Sequence, residues 1–356
     1  MADITTALRP VQGAEERAGR ARKAMPEWFE QSARFERPHL GRALGQVADS
    51  VLPYLALWAV MVASVRRGLP YWVILALAVP ASGLLVRIFI LFHDCAHGSF
   101  FASRRANTLL GTVAGILTFT PFQDWRRDHN LHHATAGDLD RRGWGDVTTL
   151  TVEEYRTAPR WKRLSYRAYR NPFVMFLLGP FYLFVVKFRF FSPGTAFPER
   201  ASVLVTDLGI IALTALAGAT VGFKTYLSVQ LPVILLSGTW GVWLFYVQHQ
   251  FERAYWARHE AWDPVKASMQ GSSHYKLPRV LQWFSGNIGL HHIHHVRPRI
   301  PNYNLQRCYD EVPALQSVEP LTFLRSLRSL RLHLWDERNR RMVGFRALRE
   351  PGRDAA

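Results

Sequence analysis

Cysteine is scarce. Cys95 and Cys308 are the only two in 356 residues, so no disulfide framework is implied. Acidic residues are also few, 27 Asp and Glu against 44 Lys and Arg, which leaves a net charge of +17. Such a balance suits nucleic acid or an anionic membrane face. Carboxylate-based metal chemistry has little to build on. Soluble di-iron bundles use paired Glu-x-x-His motifs, and the chain has one such string, Glu36 to His39, whose helix Pro38 breaks. Residues 1–31 are charged and lack an apolar core, so they do not read as a secretory signal. No repeat of fixed period is present.

Long apolar runs, by contrast, are plentiful. The mean hydropathy of −0.05 looks soluble, but the average hides segregation into apolar stretches and arginine-rich ones. This favours a membrane partner over nucleic acid. Four runs have the length and composition to cross a bilayer: 49–65, 71–92, 202–222 and 225–247. Arg87 lies near the end of the second, where a long side chain can snorkel to water. The stretch 106–122, with Gly111, Gly115 and Pro121, is a weak spanning candidate that could instead dip in and return. Residues 123–170 are polar and belong outside the lipid. Residues 171–188 carry Gly179-Pro180 mid-run and read as interfacial or re-entrant. Residues 1–48 read as a basic leader, loose and then interfacial, ahead of a membrane domain over 49–356. The expectation is an all-α integral membrane fold with about four transmembrane helices in two hairpins. Both termini and the middle segment then share one side, which carries nearly all the Lys and Arg. The positive-inside rule makes that side cytoplasmic, and a bacterial inner membrane is the expected location.

Nine of the 14 histidines fall in three clusters, "HDCAH" (93–97), "HNLHH" (129–133) and "HHIHH" (291–295). At about 100° per residue, His93 and His97 share a helix face. His129, His132 and His133 fall within an arc of about 100°, and His291, His294 and His295 repeat the pattern; His292 lies outside it. One such cluster alone is commonly a surface feature. Three clusters, each just past an apolar run on the same expected side, point to a metal. Imidazole suits iron, zinc and copper. Eight ligands are too many for one tetrahedral ion, so two ions are the economical reading.

These motifs carry a resemblance. "HDCAHGSF", "HNLHHATAGDLD" and "GSSHYKLPRVLQWFSGNIGLHHIHHVRPRIPNYNL" resemble the membrane fatty acid desaturases, in particular bacterial acyl-lipid desaturases similar to the omega-6 (delta-12) enzymes. The similarity runs over about 90–310 and includes 145–155 and 248–264. The box motifs alone are shared with hydroxylases and ketolases; the extended third segment is more specific. The resemblance implies a cytosolic histidine-rich helical cap holding two irons. It also implies O2 as co-substrate and a fatty acyl substrate, expected to be lipid-linked. It further implies a ninth ligand near the end of the span before the third box, and His249 stands there, directly after 225–247. A polar interfacial residue is the plain alternative for His249. His259 and His274 lie deeper in the polar segment and are weaker candidates.

Acids flank the boxes at Asp94, Asp128, Asp138 and Glu252. Metal-bound imidazoles commonly donate their second N–H to a carboxylate or carbonyl, and Asp94 and Asp128 are the candidates for that role. A solvated surface charge is the alternative for each. Asn287, one turn before His291, either supports the site or forms a Gly286-Asn287 turn. Cys95 reads as a small packing residue. No haem-binding segment is fused to the chain, so the expected reductant is a separate protein, ferredoxin-like or a small cytochrome.

Three other functions compete. A hydroxylase or ketolase would share the scaffold and differ in product. An intramembrane zinc protease would need a glutamate where the first box has Asp94, and it would leave two boxes idle. A metal transporter would place its site near mid-membrane, whereas these histidines follow the ends of apolar runs.

Overall fold

A computed structural model of the chain describes residues 26–191 and 194–349. Residues 1–25 of the expected leader lie outside the described residues. The rest of it is built into the fold: helix α1 (Glu27–Ser32) leads to α2 (Leu40–Arg66), which begins at Leu40 rather than at 49. The His39 side chain caps α2 by accepting from the Arg42 N–H at 3.3 Å. Residues 40–48 are helical but amphipathic, so hydropathy alone places the boundary too late. Their polar side makes tertiary contacts, with the Gln46 side-chain amide donating to Asn302 Oδ1 at 2.6 Å.

Helix α3 (Tyr71–His97) runs through the first histidine box and stops at Gly98, whose φ of 66° ends the helix. Helix α4 (Arg104–Leu117) has 14 residues. That is about 21 Å, short of the roughly 30 Å of a hydrocarbon core. The chain then reverses through Phe119, at φ 58°, into α5 (Phe122–Thr135), which carries the second box. The amphipathic α6 (Arg160–Tyr169) precedes a run of π- and 3₁₀-helical turns within Val174–Arg189, and the two axes meet at 64°. Helices α7 (Phe197–Val221) and α8 (Phe223–His249) are joined through Gly222, at φ 89°. The four helices α2, α3, α7 and α8 are long and apolar enough to cross a membrane.

Helix α3 is the centre of the bundle. In its most apolar window 61% of residues are buried, against 28%, 11% and 28% in α2, α7 and α8. It packs against α2, α4 and α8. Helices α2 and α7 turn Leu52, Leu55, Leu208, Ile211 and Leu216 outward. So much contiguous apolar surface is uncommon on a protein that meets only water. Arg87 does not snorkel. It is buried, with Nε donating to Ser50 Oγ at 3.0 Å and Nη2 to Asp49 at 3.2 Å, so α2 supplies inside the fold the partners that water would have supplied outside.

The remaining elements gather at the end of the bundle where α3 and α8 finish. They include α9 (Pro264–Gly271), α10 (His291–Val296) and α11 (Asn302–Glu311). Two small sheets tie distant segments together. Strand β1 (Leu150–Thr151) pairs in parallel with β4 (Leu334–Asp336), which pairs antiparallel with β5 (Arg341–Val343); β2 (His274–Lys276) pairs in parallel with β3 (Pro320–Thr322). Arg297, just past α10, fastens α1 by donating to the Phe29 carbonyl at 2.9 Å and to Ser32 Oγ at 2.8 Å, and it donates to Glu36 just beyond at 2.6 Å.

Candidate metal centre

Nine imidazoles converge at that end of the bundle, in two groups. His93 and His97 of α3, His129 and His133 of α5 and His294 of α10 form the first; His132 of α5, His249 of α8 and His291 and His295 of α10 form the second. Within each group the candidate ligand atoms all lie within 4.8 Å of one another. Helices α5 and α10 each serve both groups. An i, i+3, i+4 triplet spans an arc wide enough to face two neighbouring centres at once. His292 belongs to neither group, and its Nε2 lies 2.9 Å from the Leu315 carbonyl. His274 and His259 are also outside; His259 Nδ1 lies 2.7 Å from Asp138.

Hydrogen bonding fixes where several protons sit. His249 Nδ1 is 3.2 Å from the Gly271 carbonyl, which can only accept, so Nδ1 carries the proton. His132 Nδ1 lies against the Asp146 carboxylate and is likewise the donor. In the neutral rings both Nε2 atoms are then bare lone pairs, and they face each other at 3.2 Å. The contact His249 Nε2 to His291 Nε2 is 3.0 Å, and His295 Nε2 to His291 Nε2 is 3.1 Å. In the first group His133 Nε2 is 3.2 Å from His129 Nε2 and 3.0 Å from His294 Nε2. The bare lone pairs of His132 and His249 repel at 3.2 Å unless a cation lies between them. Ligands at about 2.1 Å from one ion stand about 3.0 to 3.4 Å apart, so this donor set fits a metal in each group.

Burial holds His129, His133, His291, His294 and His295 well below the usual histidine range, and neighbouring imidazoles add to the effect. Neutral nitrogen is the form that ligates metal.

The flanking residues divide. Asp94 Oδ1 is 3.1 Å from His93 Nδ1, and its Oδ2 accepts from the Asn302 backbone N–H at 2.6 Å and from Nδ2 at 2.9 Å. Asp128 instead accepts from Arg127, at 2.8 Å from Nη2. Asp138 holds His259, and Glu252 is exposed. Asn287 forms the turn entering α10, with φ at 60° and its carbonyl accepting from the Leu290 N–H at 3.0 Å. Its Nδ2 donates to the Asn302 carbonyl at 3.3 Å, so it touches the residue that braces Asp94 and not an imidazole. Cys95 packs in the apolar core. The sequence reading missed Asp146, the Gly271 carbonyl, Asn302 and Trp125, whose ring stacks on His129 at 4.3 Å. Of these, Trp125 alone carried a signal, its i, i+4 relation to His129 on α5.

A sequence model described as fatty acid desaturase matches residues 69–322. The chain belongs to the fatty acid desaturase family. It is 46% identical over 319 residues to "Fatty acid desaturase" of Bacillus subtilis (strain 168), covering 90% of each chain. It is 26% identical to "sn-1 oleoyl-lipid 12-desaturase" of Picosynechococcus, covering 68% of this chain and 70% of that one. It is 28% identical to "Omega-3 fatty acid desaturase, endoplasmic reticulum" of Vigna radiata, covering 66% of this chain and 63% of that one. This desaturase is therefore an oxidoreductase of the membrane type, with histidine clusters compatible with a metal site.

Proposed function

We propose that this desaturase is an O2-dependent di-iron enzyme that introduces a double bond into a lipid-linked fatty acyl chain. The observation carrying this reading is the pair of imidazole groups, five and four, packed side by side. The nine histidines named above would hold the two irons. Zinc has no redox chemistry, and removing hydrogen from an unactivated methylene is beyond side-chain acids and bases; two bound irons would supply that redox chemistry with O2 as co-substrate. The balance is two hydrogens from adjacent methylenes, two electrons and two protons from outside, and O2 leaving as two waters.

The chain's own residues prepare the site. Asp94, Asp146 and the Gly271 carbonyl hold three Nδ1 protons outward, which aims three Nε2 lone pairs inward. Trp125 restricts the rotation of the His129 ring. Burial excludes water, and imidazole ligands carry no negative charge, so the centre stays more positive than a carboxylate site. The Picosynechococcus relative named for an oleoyl-lipid substrate supports a lipid-linked acyl chain. The electron donor is a separate ferredoxin-like protein or small cytochrome. The four long helices form two hairpins in a bacterial inner membrane, with the histidine-bearing cap and both termini in the cytoplasm.

The test is expression in a host of known fatty acid content, followed by mass spectrometric location of new double bonds. New unsaturation that depends on O2 and tracks with iron per chain is expected. A hydroxylated or keto product would instead make the chain a hydroxylase or ketolase on the same scaffold.

A further inference from the structure

Helix α6 is apolar on the wrong side for a helix in water. Its buried residue is Tyr166. Taking Tyr166 as the protein-facing direction, Leu164, Ala168 and Trp161 lie at about 160°, 200° and 220° around the axis, on the opposite face. Trp161 is 70% exposed and Leu164 67%. Arg160, at about 120°, flanks this strip, is exposed, and has no ion pair among the described residues.

A second segment has the same character. The short helical stretch Phe323–Arg331 exposes Phe323, Leu324 (75%) and Leu327, with Arg328 and Arg331 beside them. Its other cation, Arg325, pairs with Glu319 at 2.6 Å. Both segments are pinned to one residue of α8. Arg170, just past α6, has its Nη2 3.3 Å from the Tyr246 hydroxyl, and that hydroxyl donates to the Ser329 carbonyl at 2.8 Å. Tyr246 sits in the last turn of α8. The two segments therefore stand at the same height, where an apolar helix long enough to cross a membrane ends.

We propose that α6 and Phe323–Arg331 together form a docking surface for anionic phospholipid headgroups. Trp161, Leu164, Leu324 and Leu327 would enter the acyl boundary while Arg160, Arg328 and Arg331 meet phosphates. Aromatic and apolar residues beside cations that have no ion pair among the described residues, at the level where a spanning helix ends, match the two layers of a charged membrane surface. A protein partner would explain the apolar strip but not its common height with the second segment.

The experiment uses the full-length protein in nanodiscs of phosphatidylcholine with or without phosphatidylglycerol. A spin label is placed at Leu164→Cys, with Glu153→Cys, exposed on the neighbouring helix Val152–Thr157, as the aqueous control. With phosphatidylglycerol, the Leu164 label is expected to collide with O2 in preference to a water-soluble nickel chelate, and the control to do the reverse. The R160Q/R328Q/R331Q variant, checked for an unchanged thermal midpoint, is expected to lose its preference for spin-labelled phosphatidylglycerol over phosphatidylcholine by roughly tenfold or more. A Leu164 label freely reached by the chelate in both discs would overturn the proposal. A label shielded from both reagents would also overturn it, in favour of a protein partner or a second copy of this chain. Equal lipid preference in the variant would remove the anionic part of the claim. None of these readouts depends on iron or on the acyl reaction.

Discussion

One proton decides what His132 can do. While Nδ1 donates to Asp146, Nε2 is a lone pair facing His249. An asparagine at 146 can present its amide nitrogen as readily as its oxygen, so the tautomer is no longer held and the ring loses basicity. Asp146→Asn is expected to weaken metal binding by the second group about 10- to 100-fold. Asp128→Asn, whose carboxylate faces Arg127, is expected to leave it unchanged. Titration of iron into metal-free protein measures both, and equal affinity in Asp146→Asn and the parent would sink the role given to Asp146. The contrast marks how far the site was legible. The boxes announce themselves by helical phase, and the same phase sets His292 apart. Asp94 is readable because it lies inside a box. Asp146 is not, because it comes after a turn at Gly145, φ 63°, well beyond the helix that bears His132. Contacts made by tertiary folding, such as Asn302 on Asp94, leave no periodic trace in the sequence.

At the scale of elements, the reversal between α4 and α5 does the most to place the second box. The Thr120 N–H donates back to the Gly115 carbonyl at 2.8 Å, which closes the turn. A Cβ on Gly115 would run into the Thr120 carbonyl and come within 3.1 Å of the Phe92 ring. Gly115→Ala is therefore expected to cost about 1–3 kcal/mol through overpacking. It should also lower metal occupancy, since α5 carries His129 and His133 of the first group and His132 of the second. The matched control is Gly45→Ala on α2, where nothing lies within 4 Å of the added carbon. There the helix gains propensity and the thermal midpoint should hold or rise slightly. Equal midpoints for the two variants would mean that the turn does not constrain α5. This turn also explains why 106–122 was ambiguous from sequence. Its apolar content suggests a span, but the reversal depends on close packing of Gly111 and Gly115 against Phe122, Thr120 and Phe92, which hydropathy does not encode.

At the scale of the whole molecule, the path of the chain limits how many times it crosses. Counting α6 with Val174–Arg189 as one bent span would give five crossings, not four. The contacts argue for a return. The segment starts beside the end of α8, where Arg170 Nη2 reaches Gln250 Oε1 at 2.9 Å. It then meets α8 at Thr239, whose hydroxyl donates to the Phe176 carbonyl at 2.6 Å. Thr239 is about 15 Å along the axis from His249, roughly half the thickness of a hydrocarbon core. The segment ends near the α4–α5 reversal, with Arg189 Nη2 donating to the Phe119 carbonyl at 2.6 Å. Helix α7 then begins beside α5, where the Gln123 N–H donates to Ser202 Oγ at 2.9 Å. Helices α7 and α8 run out from there and back to the imidazoles. A fifth crossing would strand the start of α7 at the far end of the bundle, away from Gln123. Tags fused at the two termini, read in intact cells by protease or thiol reagents, are therefore both expected to report the cytoplasm. A C-terminal tag on the opposite side would make Val174–Arg189 a crossing and would break the even count on which the proposed two-hairpin arrangement rests.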